Sequence, residues 1–242
     1  MLRRVGLLAI GGTVYAGATL ASFVYFKKEE CCPDIDQKQR TDIFNANASK
    51  YDKDIGREEW LAGITSLRKR LMNHANGRVL EIGSGTGRNL PHYPSECDLV
   101  CVDLSPAMLD EAQTRHPSPP VRSLRFDVMN SEDIKFPDNS FDTVVDTFGL
   151  CSVDNPQLVV KEMVRVCKPE GTILLLEHGR SSYTWLNSLL DKYAGKHALK
   201  WGCFWNRDID HYLHQSGLVI QTHQLHHFNT THYVVATKRN DR

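Results

Sequence analysis

Five short apolar runs constrain the fold of this 242-residue chain more than any other feature. Segments with helical periodicity separate them, and one of these segments opens with Ser105 and Pro106, an N-cap followed by a first-turn proline. Strands that alternate with helices predict a parallel sheet with helices on both faces. The five runs are residues 78–83, 98–103, 123–128, 141–148 and 171–178.

The C-terminal part of the chain has a different pattern. Residues 217–228 and 231–239 are both rich in β-forming side chains, and only Asn229 and Thr230 separate them. So short a connection predicts an antiparallel hairpin at one side of the sheet. The predicted fold class is therefore α/β: a Rossmann-like parallel sheet with an antiparallel C-terminal hairpin and helices on both faces, plus one N-terminal transmembrane helix.

That helix is predicted from residues 5–26, an uncharged apolar segment. As a helix, these 22 residues would extend about 33 Å, enough for the core of a bilayer. Two arginines precede the segment and two lysines follow it, so the flanking charges leave its orientation open. A cleaved signal peptide is the alternative, because Ala16-Gly17-Ala18 resembles a cleavage site. The apolar run continues eight residues beyond that site, which favours an anchor.

Small side chains recur every four residues along one face of this predicted helix. Such a face lets a second helix approach closely within the bilayer, so a helix partner in the membrane is a possible interaction. The residues on this face are Ala9, Thr13, Gly17 and Ala21.

The chain is predicted to consist of an anchor, a linker and one folded domain. Residues 1–30 form the targeting and anchoring part, and residues 31–57 are polar with few aliphatic side chains, which predicts a linker. The domain then comprises residues 58–242 and begins with a helix. The apolar face predicted for this helix consists of Trp60, Ile64, Leu67 and Leu71.

The overall composition narrows the classes of function. The formal net charge is zero, so the chain lacks the basic excess typical of nucleic-acid-binding proteins, and no nucleic-acid partner is predicted. Seven cysteines occur without a C-x-x-C pair, which predicts mostly buried free thiols rather than a disulfide framework or a zinc ribbon. The last third is rich in histidine, but its spacing does not predict converging metal ligands, so no metal site is predicted.

A glycine-rich loop follows the first predicted strand, where open α/β sheets bind ligands. Gly83, Gly85 and Gly87 alternate within the sequence VLEIGSGTGRNL. A dinucleotide fingerprint, G-x-G-x-x-G, requires a glycine where this chain has Arg88 or Leu90. The Gly-Lys-Ser/Thr of a P-loop is also missing. The loop therefore predicts close approach of backbone to a ligand, without the pattern of a phosphate site.

Acidic residues mark the ends of the first three predicted strands, at Glu81, Asp103 and Asp127. These ends meet at one edge of a parallel sheet, where three carboxylates would repel a pyrophosphate. An acid at the end of the second strand accepts hydrogen bonds from ribose hydroxyls in nucleotide-binding sheets. The three acids together predict a nucleoside that carries an amino-acid cation.

This pattern resembles the class I S-adenosylmethionine-dependent methyltransferases, in particular the methyltransferase type 11 and quinone-methyltransferase-like members. The resemblance covers roughly residues 45–240. It rests on the order and spacing of four motifs: LEIGSGTGRNL, VDLSPAML, FDVMNSEDIKFPDNSFDTVV and CKPEGTILLLEH. It implies S-adenosyl-L-methionine as the cofactor and methyl transfer as the activity.

For the methionine part of the cofactor, the resemblance implies contacts in the glycine loop and in a closing segment. Gly83 and Gly85 would let the backbone approach, and Asn89 would bind the methionine carboxylate. Upstream, NANASKYD resembles a segment that closes over the cofactor, so residues 31–57 would include this closing function and Tyr51 would contact the methionine part. The remaining members of this predicted set are Glu81, Ser84 and Gly87.

For the nucleoside part, the resemblance implies contacts at the ends of the second, third and fourth strands. Asp103 would hold the ribose, and Thr147 would lie near the sulfonium. Leu104 or Met108 would flank the adenine, and its edge would be read by Asp127 and Val128.

Downstream of the fifth strand, the chain looks like a smaller group, the membrane-anchored mitochondrial Oms-type methyltransferases. It is more distantly similar to the methyltransferase-like seven type, which the resemblance links to alkyl-thiol methylation. The predicted location is therefore the mitochondrial inner membrane, with the endoplasmic reticulum membrane as the alternative. The motifs that carry this likeness are residues 177–180, Trp185, residues 201–203 and residues 206–208.

The methyl acceptor implied by this likeness is small and lipophilic, either phenol- or quinone-like or a thiol. His178, at the end of the fifth strand, is the candidate catalytic base, because a neutral imidazole takes a proton from a phenol or a thiol. Four aromatic residues would line an apolar acceptor site or, alternatively, pack a lid helix. They are Tyr183, Trp185, Trp201 and Trp205.

Two other functions remain open at the level of the sequence. One is a non-catalytic, membrane-bound assembly factor that keeps the fold, and the other is a protein methyltransferase. Methylation of nucleobase amines is disfavoured, because the place after the fourth strand reads DTFGLC and not Asn/Asp-Pro-Pro-aromatic.

Overall fold

A computed structural model of the protein describes residues 35–238. Within that range the chain forms seven strands and six α-helices. The strands are β1 Arg78–Ile82, β2 Asp98–Asp103, β3 Ser123–Val128, β4 Phe141–Thr147, β5 Cys167–His178, β6 Val219–His226 and β7 Thr231–Thr237. The helices are α1 Gln37–Ala62, α2 Ile64–Met72, α3 Pro106–Arg115, α4 Pro156–Val166, α5 Thr184–Trp201 and α6 Ile209–Gln215.

All seven strands belong to one sheet with the order β3-β2-β1-β4-β5-β7-β6. Strands β1 to β5 are parallel to one another, and β7 is antiparallel to both β5 and β6. The predicted Rossmann-like sheet with a C-terminal antiparallel hairpin is confirmed. The strand order reverses between β1 and β4, and such a switch point is where open α/β sheets bind ligands.

Helices cover both faces of the sheet because side chains alternate along the buried central strands. In β5, Ile173 and Leu175 belong to the apolar cluster that includes α4 and α6, whereas Leu174 and Leu176 belong to the cluster that includes α2. All four side chains have no exposed surface. The sheet is thus packed on both faces. The edge formed by the carboxyl ends of its parallel strands remains available for a site.

Two connections between parallel strands lack an α-helix, which differs from the strict alternation that the sequence predicts. Between β1 and β2, the left-handed Gly83, Gly85 and Gly87 prevent a helix from starting, and only the short 3₁₀ turn Leu90–His92 forms. Between β3 and β4, the polar loop contains Pro137, which lacks a backbone N–H.

Residues 31–57 were predicted to be a linker and a segment that closes over the cofactor, and most of this range lies in the 26-residue helix α1 rather than in an extended linker. A capping box begins the helix, because Asp36 accepts from the backbone N–H of Gln39 at 2.8 Å and Gln39 accepts from that of Asp36 at 2.9 Å. Gly63, with φ of 78°, ends it. The polar residues of α1 form ion pairs at the site described below. The helix therefore lacks the apolar stripe by which a helix is recognised in a sequence.

The helix predicted from Glu58 onward is split by Gly63 into the end of α1 and the start of α2. Ile64 and Leu71 are buried on α2 as expected, whereas Trp60 lies on α1 with 69% of its surface exposed. In the C-terminal hairpin, the turn is also longer than predicted. His227, Phe228 and Asn229 all have positive φ and occupy it.

The described part of the chain, residues 35–238, has no helix that is both long enough and apolar enough to span a membrane. The predicted transmembrane segment, residues 5–26, lies outside the described residues, as does the small-residue face on it. The anchor and its helix partner therefore stay predictions.

Candidate active site

The carboxyl ends of β1, β2, β4 and β5 open into one cavity of ≈ 710 Å³, a size typical of sites for small ligands. Helices α1 and α5 contribute the opposite wall. Nine of the residues predicted to form the site line this cavity: Tyr51, Gly83, Ser84, Gly85, Asp103, Leu104, Met108, Thr147 and His178.

The glycine loop presents bare backbone to the cavity. Gly83 and Gly85 have φ of 56° and 54°, in the left-handed region that favours glycine. The backbone N–H of Gly85 donates to Oδ2 of Asp103 at 2.8 Å. No atom lies within 4 Å of the position that a Cβ on Gly85 would occupy. A ligand can therefore approach the backbone here without meeting a side chain.

Asp103 links the glycine loop to the start of α3. Its Oδ1 accepts from the backbone N–H of Ser105 at 2.8 Å, and Ser105 in turn caps α3 by accepting from the N–H of Met108 at 3.2 Å. Burial raises the pKa of Asp103, although the backbone N–H groups of Ser105 and Gly85 oppose this shift. The carboxyl is held in place with acceptor capacity left for a ligand.

Glu81 and Asn89, both predicted to bind the cofactor, do not line the cavity but support its floor. Oε1 of Glu81 accepts from Nδ2 of Asn89 at 2.8 Å, and Oε2 accepts from the hydroxyl of Tyr93 at 2.8 Å. Burial raises the pKa of Glu81 to about 7, against the effect of these two hydrogen bonds. Asn89 also donates to Oγ1 of Thr147 at 2.9 Å, so this pair joins the glycine loop to the end of β4.

Gly87, Asp127 and Val128 are also absent from the lining of the cavity. A Cβ on Gly87 would approach Leu90 to 2.6 Å, so this glycine allows close packing. Asp127 pairs with Arg125, and Val128 is 58% exposed. The wall next to β3 consists of the residues that follow, namely Met129, Asn130 and Ser131.

An ion-pair network below α1 was missed from the sequence. Glu59 of α1 pairs with Arg68 of α2 at 3.1 Å and with Arg88 of the glycine loop at 2.8 Å. Asp52 of α1 pairs with Arg88 at 3.2 Å and accepts from the hydroxyl of Thr86 at 2.6 Å. The network ties α1 onto the loop, and its residues are distant in the sequence, so no local motif marks it.

Arg68 is the centre of this network and is almost fully buried. Its Nη1 donates to Oγ1 of Thr147 at 2.7 Å and to Oδ1 of Asn89 at 3.0 Å, and its guanidinium lies 5.0 Å from the ring centre of Phe148. Burial alone would raise the pKa of Glu59, but Arg68 and Arg88 together hold it below its usual range. The charges of Arg68 and Glu59 therefore compensate each other inside the protein.

Two further acids at strand ends were missed, although they continue the pattern of acids that the first three strands show. Asp146 lies near the end of β4 and lines the cavity, and its Oδ1 is buried without a hydrogen-bond partner among the described residues. Burial, with the charge of Glu81 next, raises the pKa of Asp146. Glu177 of β5 is fully buried, and burial raises its pKa well above the usual range. An unpaired carboxylate oxygen at a cavity wall fits a ligand that carries a cation or an N–H donor.

The part of the cavity between α1 and α5 is aromatic. The ring of Tyr51 lies 6.4 Å from that of Phe44 and 6.4 Å from that of Trp201, edge-on to the latter. Trp205 stacks on His197 with 4.0 Å between ring centroids. Of the four aromatic residues predicted near an acceptor, Trp201 and Trp205 line the cavity, while Tyr183 and Trp185 are exposed and do not.

Two cysteines and two histidines also line this aromatic part. Nε2 of His178 lies 3.6 Å from Sγ of Cys203, and Nε2 of His197 lies 3.2 Å from the same sulfur. The side chain of Cys151, in the turn after β4, is close to both Cys203 and His178. The predicted catalytic residue therefore lies in a cluster of groups, which its position in the sequence did not reveal.

Comparison with known proteins gives the family that this fold and site represent. The sequence model of the family described as methyltransferase domain matches residues 80–175. The mitochondrial methyltransferase OMS1 of Saccharomyces cerevisiae is 32% identical over 222 residues, which are 84% of this chain and 47% of the relative. The ubiquinone/menaquinone biosynthesis C-methyltransferase UbiE of Coxiella burnetii is 30% identical over 64% of this chain and 67% of its own length.

Among solved structures, the protein bound to the methyltransferase activator Trm112 in a complex from Haloferax volcanii is similar in fold. It aligns with a TM-score of 0.65 over 84% of this chain and 98% of its own, at 17% identity. The chain spans about half the length of the yeast relative, at 47%.

The strand order, the glycine loop and the acids at the strand ends, taken with these matches, define an S-adenosylmethionine-dependent methyltransferase. The chain belongs to the methyltransferase-domain family, and S-adenosylmethionine is its methyl donor.

Proposed function

We propose that this enzyme transfers the methyl group of S-adenosylmethionine to a small lipophilic acceptor, either a phenol- or quinone-like compound or a thiol. The observation that carries the proposal is the composition of the cavity. Gly83, Gly85 and Asp103 line it together with the aromatic residues Tyr51 and Trp201. A polar ligand and an apolar one therefore fit into the same enclosed space.

The residues of the polar part fit the cofactor. Asp103 keeps acceptor capacity for the ribose hydroxyls, and Leu104 and Met108, which line the same cavity, would flank the adenine. Asp146 offers its unpartnered Oδ1 to the amino group or the sulfonium, a contact that compensates a buried carboxylate. The open space beside Gly85 admits the methionine part against the backbone.

Thr147 is assigned a positioning role next to this site. Its Oγ1 accepts from both Arg68 and Asn89, so its own hydroxyl hydrogen is left to donate. S-adenosylmethionine, when bound, supplies a methyl group that is already activated on sulfur. The chain then has mainly to hold a nucleophile in line with the bond that breaks, and Thr147, Phe148 and Tyr51 line the cavity where they would do this.

The lipophilic nature of the acceptor is inferred from the aromatic part of the cavity and from the relatives. UbiE is named for the biosynthesis of ubiquinone and menaquinone, which are lipophilic quinones. Aromatic side chains such as Phe44, Trp201 and Trp205 supply apolar contact area with few degrees of freedom. We assign them to the acceptor.

We further propose that residues 5–26 anchor the enzyme in a mitochondrial membrane, with the inner membrane preferred. The name of the yeast relative, a mitochondrial methyltransferase, supports this location. Tethering places the cavity close to acceptors dissolved in the bilayer and raises their effective concentration.

Binding of S-adenosylmethionine is expected to strengthen by about tenfold between pH 6 and pH 8 through ionisation of Asp146. Burial raises the pKa of this carboxyl, so a proton occupies it in the free protein at lower pH. A cationic ligand favours the ionised form, so binding expels the proton and becomes tighter as the pH rises. Isothermal titration at three pH values in buffers of different ionisation enthalpy measures both the affinity and the proton release.

The amino group of S-adenosylmethionine titrates in the same pH range. Proton release is therefore compared between the wild type and two variants to assign it to Asp146. Asp146→Asn should remove most of this proton release. Asp142→Asn, on the same strand but paired with Lys168 at the other end, should release protons like the wild type. Equal proton release by Asp146→Asn and the wild type would contradict the assignment of Asp146.

Trp201→Ala is expected to raise the KM for a lipophilic acceptor by about tenfold, equivalent to ~1.4 kcal/mol. The ring covers the aromatic part of the cavity and packs edge-on against Tyr51, so its loss removes apolar contact with the acceptor. Initial rates are measured with a prenylated hydroquinone and a long-chain alkyl thiol in detergent micelles, each beside its counterpart without the apolar chain.

The affinity for S-adenosylmethionine should change much less in this variant. Trp185→Ala is the matched control, because Trp185 lies on the same helix and is 60% exposed outside the cavity. The acceptor assignment fails if Trp201→Ala raises the KM equally for the acceptors without an apolar chain, or if the wild type methylates no lipophilic acceptor.

A further inference from the structure

A compact group of two cysteines and one histidine lies in the cavity: Cys151, His178 and Cys203. The proposed transfer reaction does not require these side chains to act together. Cys151 lies in the 3₁₀ turn Leu150–Ser152 after β4, His178 ends β5, and Cys203 follows the last turn of α5. One potential ligand atom from each residue lies within 4.8 Å of the other two. Three separate elements therefore bring two thiols and one imidazole together.

The spacing of these atoms is close to that of a tetrahedral zinc site. Zinc bonds of ~2.3 Å to sulfur and ~2.05 Å to nitrogen separate the two ligand atoms by about 3.6 Å at a tetrahedral angle. Nε2 of His178 and Sγ of Cys203 are 3.6 Å apart. Two thiolates on one zinc lie about 3.8 Å apart, so Cys151 reaches the same ion after a movement of about 1 Å or less.

The backbone holds these residues in place. The N–H of Phe204 donates to the carbonyl of Cys151 at 2.8 Å, which joins the segments that carry the two cysteines. Gly202, with φ of 76°, ends α5 just before Cys203, and a Cβ on it would approach Phe44 to 2.8 Å. Both cysteines are buried and free. The hydrogen bond between the two backbone segments and the end of α5 at Gly202 therefore hold the two cysteines close together.

We propose that Cys151, His178 and Cys203 bind one zinc ion whose fourth coordination position faces the cavity. Thiolate and imidazole ligands select zinc among the common divalent metals, and three protein ligands are typical of zinc sites that also bind a substrate. All three residues line the cavity, so the remaining position opens toward the acceptor. His197 lies 3.2 Å from Sγ of Cys203 and orients that sulfur by donating its N–H.

The consequence for the acceptor rests on the proposed function. An acceptor thiol or phenol would occupy the fourth position and lose its proton to solvent, because a zinc-bound acid is far stronger than a free one. The deprotonated sulfur or oxygen would then be the nucleophile that takes the methyl group as the bond from the donor sulfur to that carbon breaks. The uncharged methylated product would be a weak ligand for the metal and would dissociate. Zinc ligation through Nε2 would replace the role of base predicted for His178, because coordination uses the lone pair that a base needs.

The full chain, purified with a thiol-free reductant and without chelator, tests the site by metal analysis. About one zinc per chain is expected for the wild type, and less than a tenth of that for Cys151→Ala and Cys203→Ala. Cys97→Ala is the matched control, because Cys97 is also buried and free but lies outside the cavity, and it should keep its zinc. Replacement of zinc by cobalt(II) should give the visible bands of a tetrahedral thiolate site, and an added alkyl thiol should shift them.

Binding of S-adenosylmethionine is measured on the same samples and separates this proposal from the proposed function. A wild type that binds S-adenosylmethionine but neither zinc nor cobalt overturns the metal site and leaves the proposed function intact. Zinc binding without binding of S-adenosylmethionine supports the metal site and overturns the proposed function. Zinc retained in both cysteine variants also overturns the site and points to the second group of potential ligands, Asp210, His223 and His232. A disulfide between Cys151 and Cys203 under these reducing conditions would overturn it as well.

Discussion

Replacing Asp103 with alanine is expected to weaken the binding of S-adenosylmethionine by on the order of 100-fold, or about 2.7 kcal/mol. The carboxylate accepts from Gly85 and Ser105, both at 2.8 Å, and lines the cavity with capacity left for the ribose. Hydrogen bonds to charged groups contribute about 1.5–3 kcal/mol each, so the loss of the ribose contacts and of the fixed loop accounts for the effect. Calorimetric titration of purified protein measures it.

Two further variants separate the contributions of Asp103. Asp103→Asn should be intermediate, because its amide keeps one acceptor oxygen but directs N–H groups toward a backbone donor. Asp98→Ala is the matched control at the other end of β2, where Asp98 forms an exposed ion pair with Arg122, and its affinity should stay within about twofold of the wild type. Wild-type affinity in Asp103→Ala would contradict the placement of the cofactor.

Replacing Arg68 with methionine is expected to lower the free energy of unfolding by about 3 kcal/mol, the cost typical of breaking a buried ion pair. The side chain is buried and serves Glu59, Asn89 and Thr147 at the same time. Methionine fills a similar volume but offers none of these donors. Urea denaturation at neutral pH, followed by circular dichroism, measures the change.

The pH dependence of this loss follows from Glu59. Its pKa is held below the usual range in the folded state, so its ion pairs stabilise the fold at neutral pH and are lost as the pH falls through the folded pKa. The difference between wild type and Arg68→Met should therefore shrink below about pH 4. Arg70→Met, on the exposed side of the same helix, should cost less than about 1 kcal/mol. Equal losses for the two arginines would show that the network is unimportant for stability.

Most of the sheet could be predicted from the sequence because its strands are short, apolar and bounded by clear signals. Strands β2 and β3 have the predicted limits, and α3 begins after the predicted N-cap, Ser105. Helix α1 was missed because a helix held by ion pairs has no apolar stripe, and hydrophobic periodicity is the main helical signal in a single sequence. Its capping residues, Asp36 and Gln39, were the local clue.

Within the site, the glycine loop and Asp103 were predictable because their function depends on local backbone geometry and on the register of neighbouring strands. The functions of Arg68, Glu59 and Arg88 depend on tertiary contacts between residues that are far apart in the chain. Asp146 could have been found by extending the rule of acids at strand ends to the fourth strand. Cys203 joins the group around His178 only because α5 ends at Gly202, and no sequence motif predicts where that helix ends.

Labelled S-adenosylmethionine, incubated with mitochondrial membranes and the purified full chain, tests the central claim most directly. The account predicts a labelled small molecule in the organic phase, identified by mass spectrometry, that forms with wild type and Asp98→Ala and is lost with Asp103→Ala. Saturable cofactor binding without any labelled product, or label found only on protein, would contradict the claim that this cavity methylates a lipophilic small molecule.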